Sequence, residues 1–191
     1  MLSYSTSQLF DLATVVKASE AIQSEINIDN LPSKVLNIII ENSGAQKGCL
    51  ILKKDKNFVV EAISNSENSN HLIAKSILVN ECFGIPQQVI KYVINFQESL
   101  IIQNATDSNY NQDAYIEQHN CKSIVCMPIN FQNEFIGIIY LENNLKINAF
   151  PLFKLEIIKI LVSQVAIAIK NARLFASEQE RSEEHTSELQ S

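Results

Sequence analysis

The sequence predicts an α+β domain built on a mainly antiparallel sheet. Three observations point there: apolar residues at helical spacing near both ends, short apolar runs joined by polar connections between them, and no repeat or linker that divides the 191 residues into two cores. The chain is 46% hydrophobic with four glycines and four prolines, which excludes disordered, collagen-like and low-complexity classes. Its length is enough to bury a sizeable core.

Each element has its own signal. Between Gln8 and Ile26, apolar residues fall at Leu9, Leu12, Val16, Ile22 and Ile26, the pattern of an amphipathic helix. Asp29 is a cap for a second helix, with Pro32 in its first turn, the stripe Leu31, Val35, Ile38 and Ile39, and a stop at Ser43-Gly44. The period then shortens: Cys49 to Leu52 and Phe58 to Val60, separated by polar Lys53 to Asn57, read as a hairpin. Ser64 to Asn70 reads as a polar loop and Ile77 to Val79 as a weak strand. Pro86 opens a helix with the face Val89, Ile90, Val93 and Ile94. Leu100 to Ile102 is a short strand, Gln103 to Gln112 a loop, and Asp113 to His119 a brief helix. Two longer strands, Ser123 to Phe131 and Phe135 to Leu141, are joined by Gln132-Asn133-Glu134, with Gly137 marking a bulge or a close approach. Pro151 starts the longest helix, predicted to run to about Glu180.

That last helix carries two stripes. Leu155, Ile158, Val162, Val165, Ile169 and Ala172 alternate steps of three and four, a heptad seam. Leu161, Ala168 and Phe175 form a second stripe seven apart. One face suits the sheet and the other a partner helix, so the first stripe is the candidate dimer surface; a single wide core-facing stripe is the alternative.

The net charge of −6 and pI near 5.1 oppose nucleic acid or an anionic membrane as main partner. The first ten residues lack a basic leader, and Ile157 to Ile169 is too short and too polar to span a bilayer, so a cytoplasmic location is expected. Four cysteines (Cys49, Cys82, Cys121 and Cys126) without a CxxC read as free thiols. No glycine-rich phosphate loop, dinucleotide fingerprint or kinase signature occurs, so no catalytic residue and no cofactor are predicted. His119 and Cys121 lack a second ligand pair, so no metal site is predicted. The most ligand-like stretch holds Asp107, Tyr110, Asn111, Asp113, Tyr115 and His119; with Ser123 these are the candidate pocket residues for a small molecule.

Residues 181–191, Arg-Ser-Glu-Glu-His-Thr-Ser-Glu-Leu-Gln-Ser, resemble the in-frame translation of a widely used sequencing adapter and are expected to be non-native. That leaves residues 1–180 as a single expected domain, with the natural chain expected to continue past Glu180. The tail carries one arginine against three glutamates, so without it the net charge of −6 becomes −4. His185 lies in this tail and is followed by Thr186 rather than an acidic base, so it has no phospho-acceptor role.

Six segments in order resemble one family. Leu12 to Ser19, Glu41 to Gly48, Asp113 to Ile116, Lys122 to Ile129, Gly137 to Asn143 and Asn171 to Phe175 are similar to the motifs of a GAF domain over about residues 8–178. The nearest likeness is to GAF domains of cyanobacterial-type multidomain kinases, which place a Ser/Thr-kinase and ATPase region before the domain and a histidine-kinase core after it. The resemblance implies five or six antiparallel strands, terminal helices on one face and a pocket on the other. It implies a sensory and dimerising role, with flanking kinase domains as partners and a homodimer through the terminal helices. Bilin-binding members have a Cys-His pair where Cys121 here precedes Lys122, so bilin attachment is not expected. The cyclic-nucleotide pattern is also absent. The alternatives are a ligand-free interaction module and, further off, a methionine sulfoxide reductase using Cys82 and Cys121.

Overall fold

The computed structural model describes residues 6–25, 27–65, 68–72 and 76–189. In chain order the elements are α1 (Thr6–Gln23), α2 (Leu31–Ser43), β1 (Lys47–Lys54), β2 (Asn57–Asn65), β3 (Asn68–Leu72), β4 (Ile77–Leu78), α3 (Gln87–Phe96), β5 (Leu100–Ile102), α4 (Ala114–His119), β6 (Ser123–Phe131), β7 (Glu134–Asn143) and α5 (Leu152–Leu189). Single 3-10 turns at Val79–Glu81 and Ala105–Asp107 complete the connections.

The sheet runs in the order β3-β2-β1-β7-β6-β5, and the two-residue β4 pairs with β2. Every pairing is antiparallel. The central β1–β7 pair joins residues from the two halves of the chain. Strand alternation divides the core into two layers. Leu50 and Leu52, Val125 and Met127, Ile139 and Leu141 face one side with α1, α2 and α5. Cys49 and Ile51, Ile124 and Cys126, Ile138 and Tyr140 face the other, beneath α3 and α4. Gly137 is where two backbones meet: a Cβ there would run into the Ile51 carbonyl oxygen and lie 2.9 Å from a Leu52 methyl. The adjoining ladder is also irregular between Ile129 and Asn130. Gln132 and Asn133 take φ of 46° and 66°, as a two-residue hairpin between right-twisted strands requires.

Several sequence expectations need correction. The described part of the polar segment expected to be a loop is strand: Ser64 and Asn65 finish β2, and Asn68 to Asn70 begin β3, where backbone pairing overrides a polar composition. The cap position of α2 is Asn30, not Asp29, and its side chain makes no capping bond. In α1 the buried face is Val15, Ala18 and Ile22, whereas Val16 is 48% exposed. The side chains of Leu9 and Leu12, and all of Ile26, lie outside the described residues. At the end of α2, Gly44 adopts φ 75° and donates its N–H to the Ile40 carbonyl, the left-handed stop expected of glycine.

The candidate dimer seam is the largest correction. Leu155, Ile158, Val162, Val165, Ile169 and Ala172 are all buried in the chain's own core. Leu161 and Ala168 are buried there too, and only Phe175 of the second stripe is open, at 45%. The wide apolar face of α5 is consumed by the sheet, α1 and α2. Large apolar residues left exposed on α5 are Leu152, Phe153, Ile160, Leu174 and Phe175, with Ile167 half-buried between Ile160 and Leu174.

Candidate functional site

On the α3/α4 side, the β1–β7 register sets Lys47 opposite Glu142 and Cys49 opposite Tyr140. Because β7 also pairs with β6, Tyr140 lies between Cys49 and Cys126 in one row across three strands. Glu142 is 1% exposed. A buried carboxylate needs donors, and three side chains supply them. The Tyr115 hydroxyl lies 3.0 and 2.9 Å from its two oxygens, the Tyr140 hydroxyl donates at 2.6 Å, and Asn144 Nδ2 donates at 3.1 Å. Lys47 Nζ donates to the Tyr115 hydroxyl at 2.5 Å and to the Gly84 carbonyl at 2.9 Å, and stands 4.6 Å from the Tyr115 ring centroid. The phenol of Tyr115 therefore bridges an ammonium and a carboxylate.

Tyr115 reaches this position because of how α4 is built. Asp113, buried at the N-cap, accepts from the Tyr115 N–H with one oxygen and from the Gln88 N–H of α3 with the other. At the far end Asn120 takes φ 50°, its N–H capping the last carbonyls, and the chain drops into β6 through buried Cys121. The exposed His119 packs its ring against Tyr115 at 4.3 Å between centroids, tilted by 41°.

Burial, and then the charge of Glu142, raise Tyr115 well above the ordinary phenol range, so it remains a neutral donor. The same two causes raise Tyr140. Burial and Glu142 push the Cys121 thiol up to about 12, and burial raises Cys49 and Cys126. These are protonated thiols in apolar surroundings, the opposite of an activated nucleophile.

The other predicted pocket residues separate into different roles. Tyr110 packs edge-on against Tyr92 at 6.4 Å, and burial raises its phenol. Asp107 is exposed at the end of its 3-10 turn. Asn111 lines a surface recess of about 470 Å³ with Thr106, Gln112, Ile116, Glu117 and Asn120. Ser123 is fully buried; its hydroxyl donates toward the Gln103 and Lys146 carbonyls and accepts from the Ala149 N–H, pinning the β7–α5 connection. Of the predicted set, Tyr115, His119 and Asp113 come together. Lys47, Glu142, Tyr140 and Asn144 were not anticipated as site residues, although a glutamate closing a long apolar strand is a signal of a special environment.

The GAF domain family model matches residues 27–169. The chain belongs to the GAF domain family. Residues of this GAF domain are 42% identical over 88 positions to "Hybrid signal transduction histidine kinase G" of Dictyostelium discoideum, covering 46% of this chain and 3% of that protein. Likeness to "Peroxide stress-activated histidine kinase mak3" of Schizosaccharomyces pombe is 26% over 169 residues, or 87% of this chain and 7% of that one. The chain thus spans only a small part of these relatives. Among solved structures, the GAF domain of an Acinetobacter phosphoenolpyruvate-protein phosphotransferase superposes with a TM-score of 0.66 at 16% identity, covering 90% of this chain and 97% of that one, a likeness of fold. No helix among the described residues is long and apolar enough to cross a membrane.

Proposed function

We propose that this GAF domain is a regulatory sensor unit of a cytoplasmic histidine-kinase signalling protein, reading a small molecule or a neighbouring domain on its α3/α4 side and passing the result to α5. The observation that carries this reading is the sequence likeness over 87% of the chain to a histidine kinase of which that likeness covers 7%. The geometry supports a relay. Glu142 belongs to the buried network, while the next residue, Asn143, donates to the Gly44 carbonyl and accepts from the N–H groups of Leu145 and Lys146 on the way to α5. In the parent chain we place a Ser/Thr-kinase region before the domain and a histidine-kinase core after it, on the cyanobacterial pattern. We read the segment itself as non-enzymatic: burial and Glu142 raise the thiol of Cys121, one of the two cysteines the reductase alternative needs, which opposes that alternative.

Self-association through the terminal helices belongs to the same proposal, on a different face from the seam first expected. Phe153, Ile160, Ile167 and Leu174 recur every seven residues on α5, and Val16 of α1 is exposed as well. On this reading residues 181–191 are adapter-derived, which the gene sequence beyond codon 180 checks. The functional test is a fusion of residues 1–180 through α5 to a histidine-kinase core. A metabolite that raises the melting temperature of the domain should change autophosphorylation of the fusion. If none does either, dimerisation alone is left as the role.

A further inference from the structure

Tyr115 fills the space between Lys47 and Glu142, yet it comes from outside the sheet. It is delivered by the six-residue α4, held at its two ends by Asp113 and Asn120. Its hydroxyl does two things at once, accepting from an ammonium and donating to a carboxylate. The Lys47 and Glu142 positions themselves are fixed on neighbouring central strands. A lysine and a glutamate set opposite each other on neighbouring strands are thus linked by a side chain on a short, separately anchored segment.

Resting on the sensor reading above, we propose that Tyr115 is the resident occupant of a binding site, and that the ligands which replace it are small zwitterions with an ammonium and a carboxylate on neighbouring atoms, as in free α-amino acids. A neutral hydroxyl on a ligand would only match the bonds that Tyr115 already makes. A ligand with one negative charge would pair with Lys47 but face Glu142, and one with a single positive charge would meet the reverse. A zwitterion replaces both neutral-to-charged bonds by charge-to-charge bonds, which are stronger. A second observation points the same way. Asn144, whose Nδ2 donates to Glu142, keeps its own Oδ1 buried without a hydrogen-bond partner. An ammonium has three donors, and this unspent acceptor, on the same amide that holds the carboxylate, suits one of them. The surroundings are apolar and neutral, including Cys49, Cys121 and Ile85, which favours an aliphatic or thioether side chain over a charged one.

The test is calorimetry and thermal shift on the full chain with a panel of free L-α-amino acids, each beside its decarboxylated amine and its deaminated acid. The wild type is compared with Tyr115→Phe, which loses both bonds of the hydroxyl, and with Tyr115→Ala, which also opens the space. At least one amino acid should bind either variant about tenfold or more tighter than the wild type, and lose that binding when Lys47→Met or Glu142→Gln is added. The matched amine and acid should not bind. Circular dichroism identifies a variant that fails to fold, and the other Tyr115 variant then decides. If no amino acid binds a folded variant, or the singly charged analogues bind as well, the assignment is wrong. A metabolite of another class that stabilises the domain overturns this ligand class and leaves the sensor reading standing.

Discussion

Replacing Tyr140 by phenylalanine isolates one bond of the buried network. Tyr140 is wholly buried and its ring stays in place, so the change removes a hydroxyl without opening a cavity. The lost contact is 2.6 Å from Glu142, within the range of a charge-assisted O–H to carboxylate bond. Tyr115 and Asn144 still hold the carboxylate, so the site is weakened rather than stripped. Hydrogen bonds to charged groups contribute about 1.5–3 kcal/mol, so the expected loss is about 2 kcal/mol, or roughly a 30-fold change in the unfolding equilibrium. Urea denaturation at pH 7 measures it, with an unchanged slope against denaturant confirming that the same surface is exposed. Tyr92→Phe is the control, because its hydroxyl lies 3.4 Å from Glu98 on the surface and its removal should cost less than about 0.5 kcal/mol. A Tyr140→Phe effect as small as that control would refute the view that this hydroxyl stabilises a buried carboxylate.

Further outcomes follow from the same structure. Tyr115, Tyr140, Cys49, Cys121 and Cys126 all hold their protons more tightly when folded than when unfolded. Rising pH therefore ionises the unfolded chain first, and the urea midpoint should fall from about pH 9 upward; a flat profile up to pH 11 would contradict these shifts. All four cysteines are buried free thiols, so a thiol-specific reagent at pH 8 should label them at the rate of unfolding and fully only in denaturant. On α5, Ile160→Glu with Leu174→Glu should lower the sedimenting mass of a dimer while preserving the circular dichroism of the fold. Val165→Glu should instead cost more than about 4 kcal/mol, because it puts an unpaired charge into a fully buried position; a folded monomer from Val165→Glu would reinstate the first seam.

The fold was legible because its signals are local. The step-of-three-and-four spacing in α2, the apolar runs of β1, β6 and β7, and the stop at Gly44 each need only a few neighbouring residues to be read. What misled was any question of what covers a face. The periodicity of Leu155 to Ala172 identifies an apolar stripe correctly, but it cannot say whether a partner or the chain's own sheet lies against it. Tyr115 and His119 could be marked from a polar stretch rich in ring side chains. Lys47 and Glu142 could not, because the register that opposes them joins strands from the two halves of the chain. A strand such as β3, formed by polar residues at the sheet's end, has no apolar alternation to announce it.

At the end of β7, Glu142, Asn143 and Asn144 are consecutive, yet they fasten three separate parts of the molecule. The first holds the Tyr115 network, the second the end of α2 and the turn towards α5, and the third returns to Glu142 with its side chain and to Gln46 with its backbone N–H. Adjacent strand residues point to opposite faces, so adding or deleting one residue just before this tripeptide would turn the carboxylate toward α2 and an amide toward Tyr115. The strand length between Gly137 and Glu142 is therefore under a parity constraint. An even change could preserve which residue faces which layer, whereas an odd one would disconnect the two faces of the sheet at the point where they meet the exit helix.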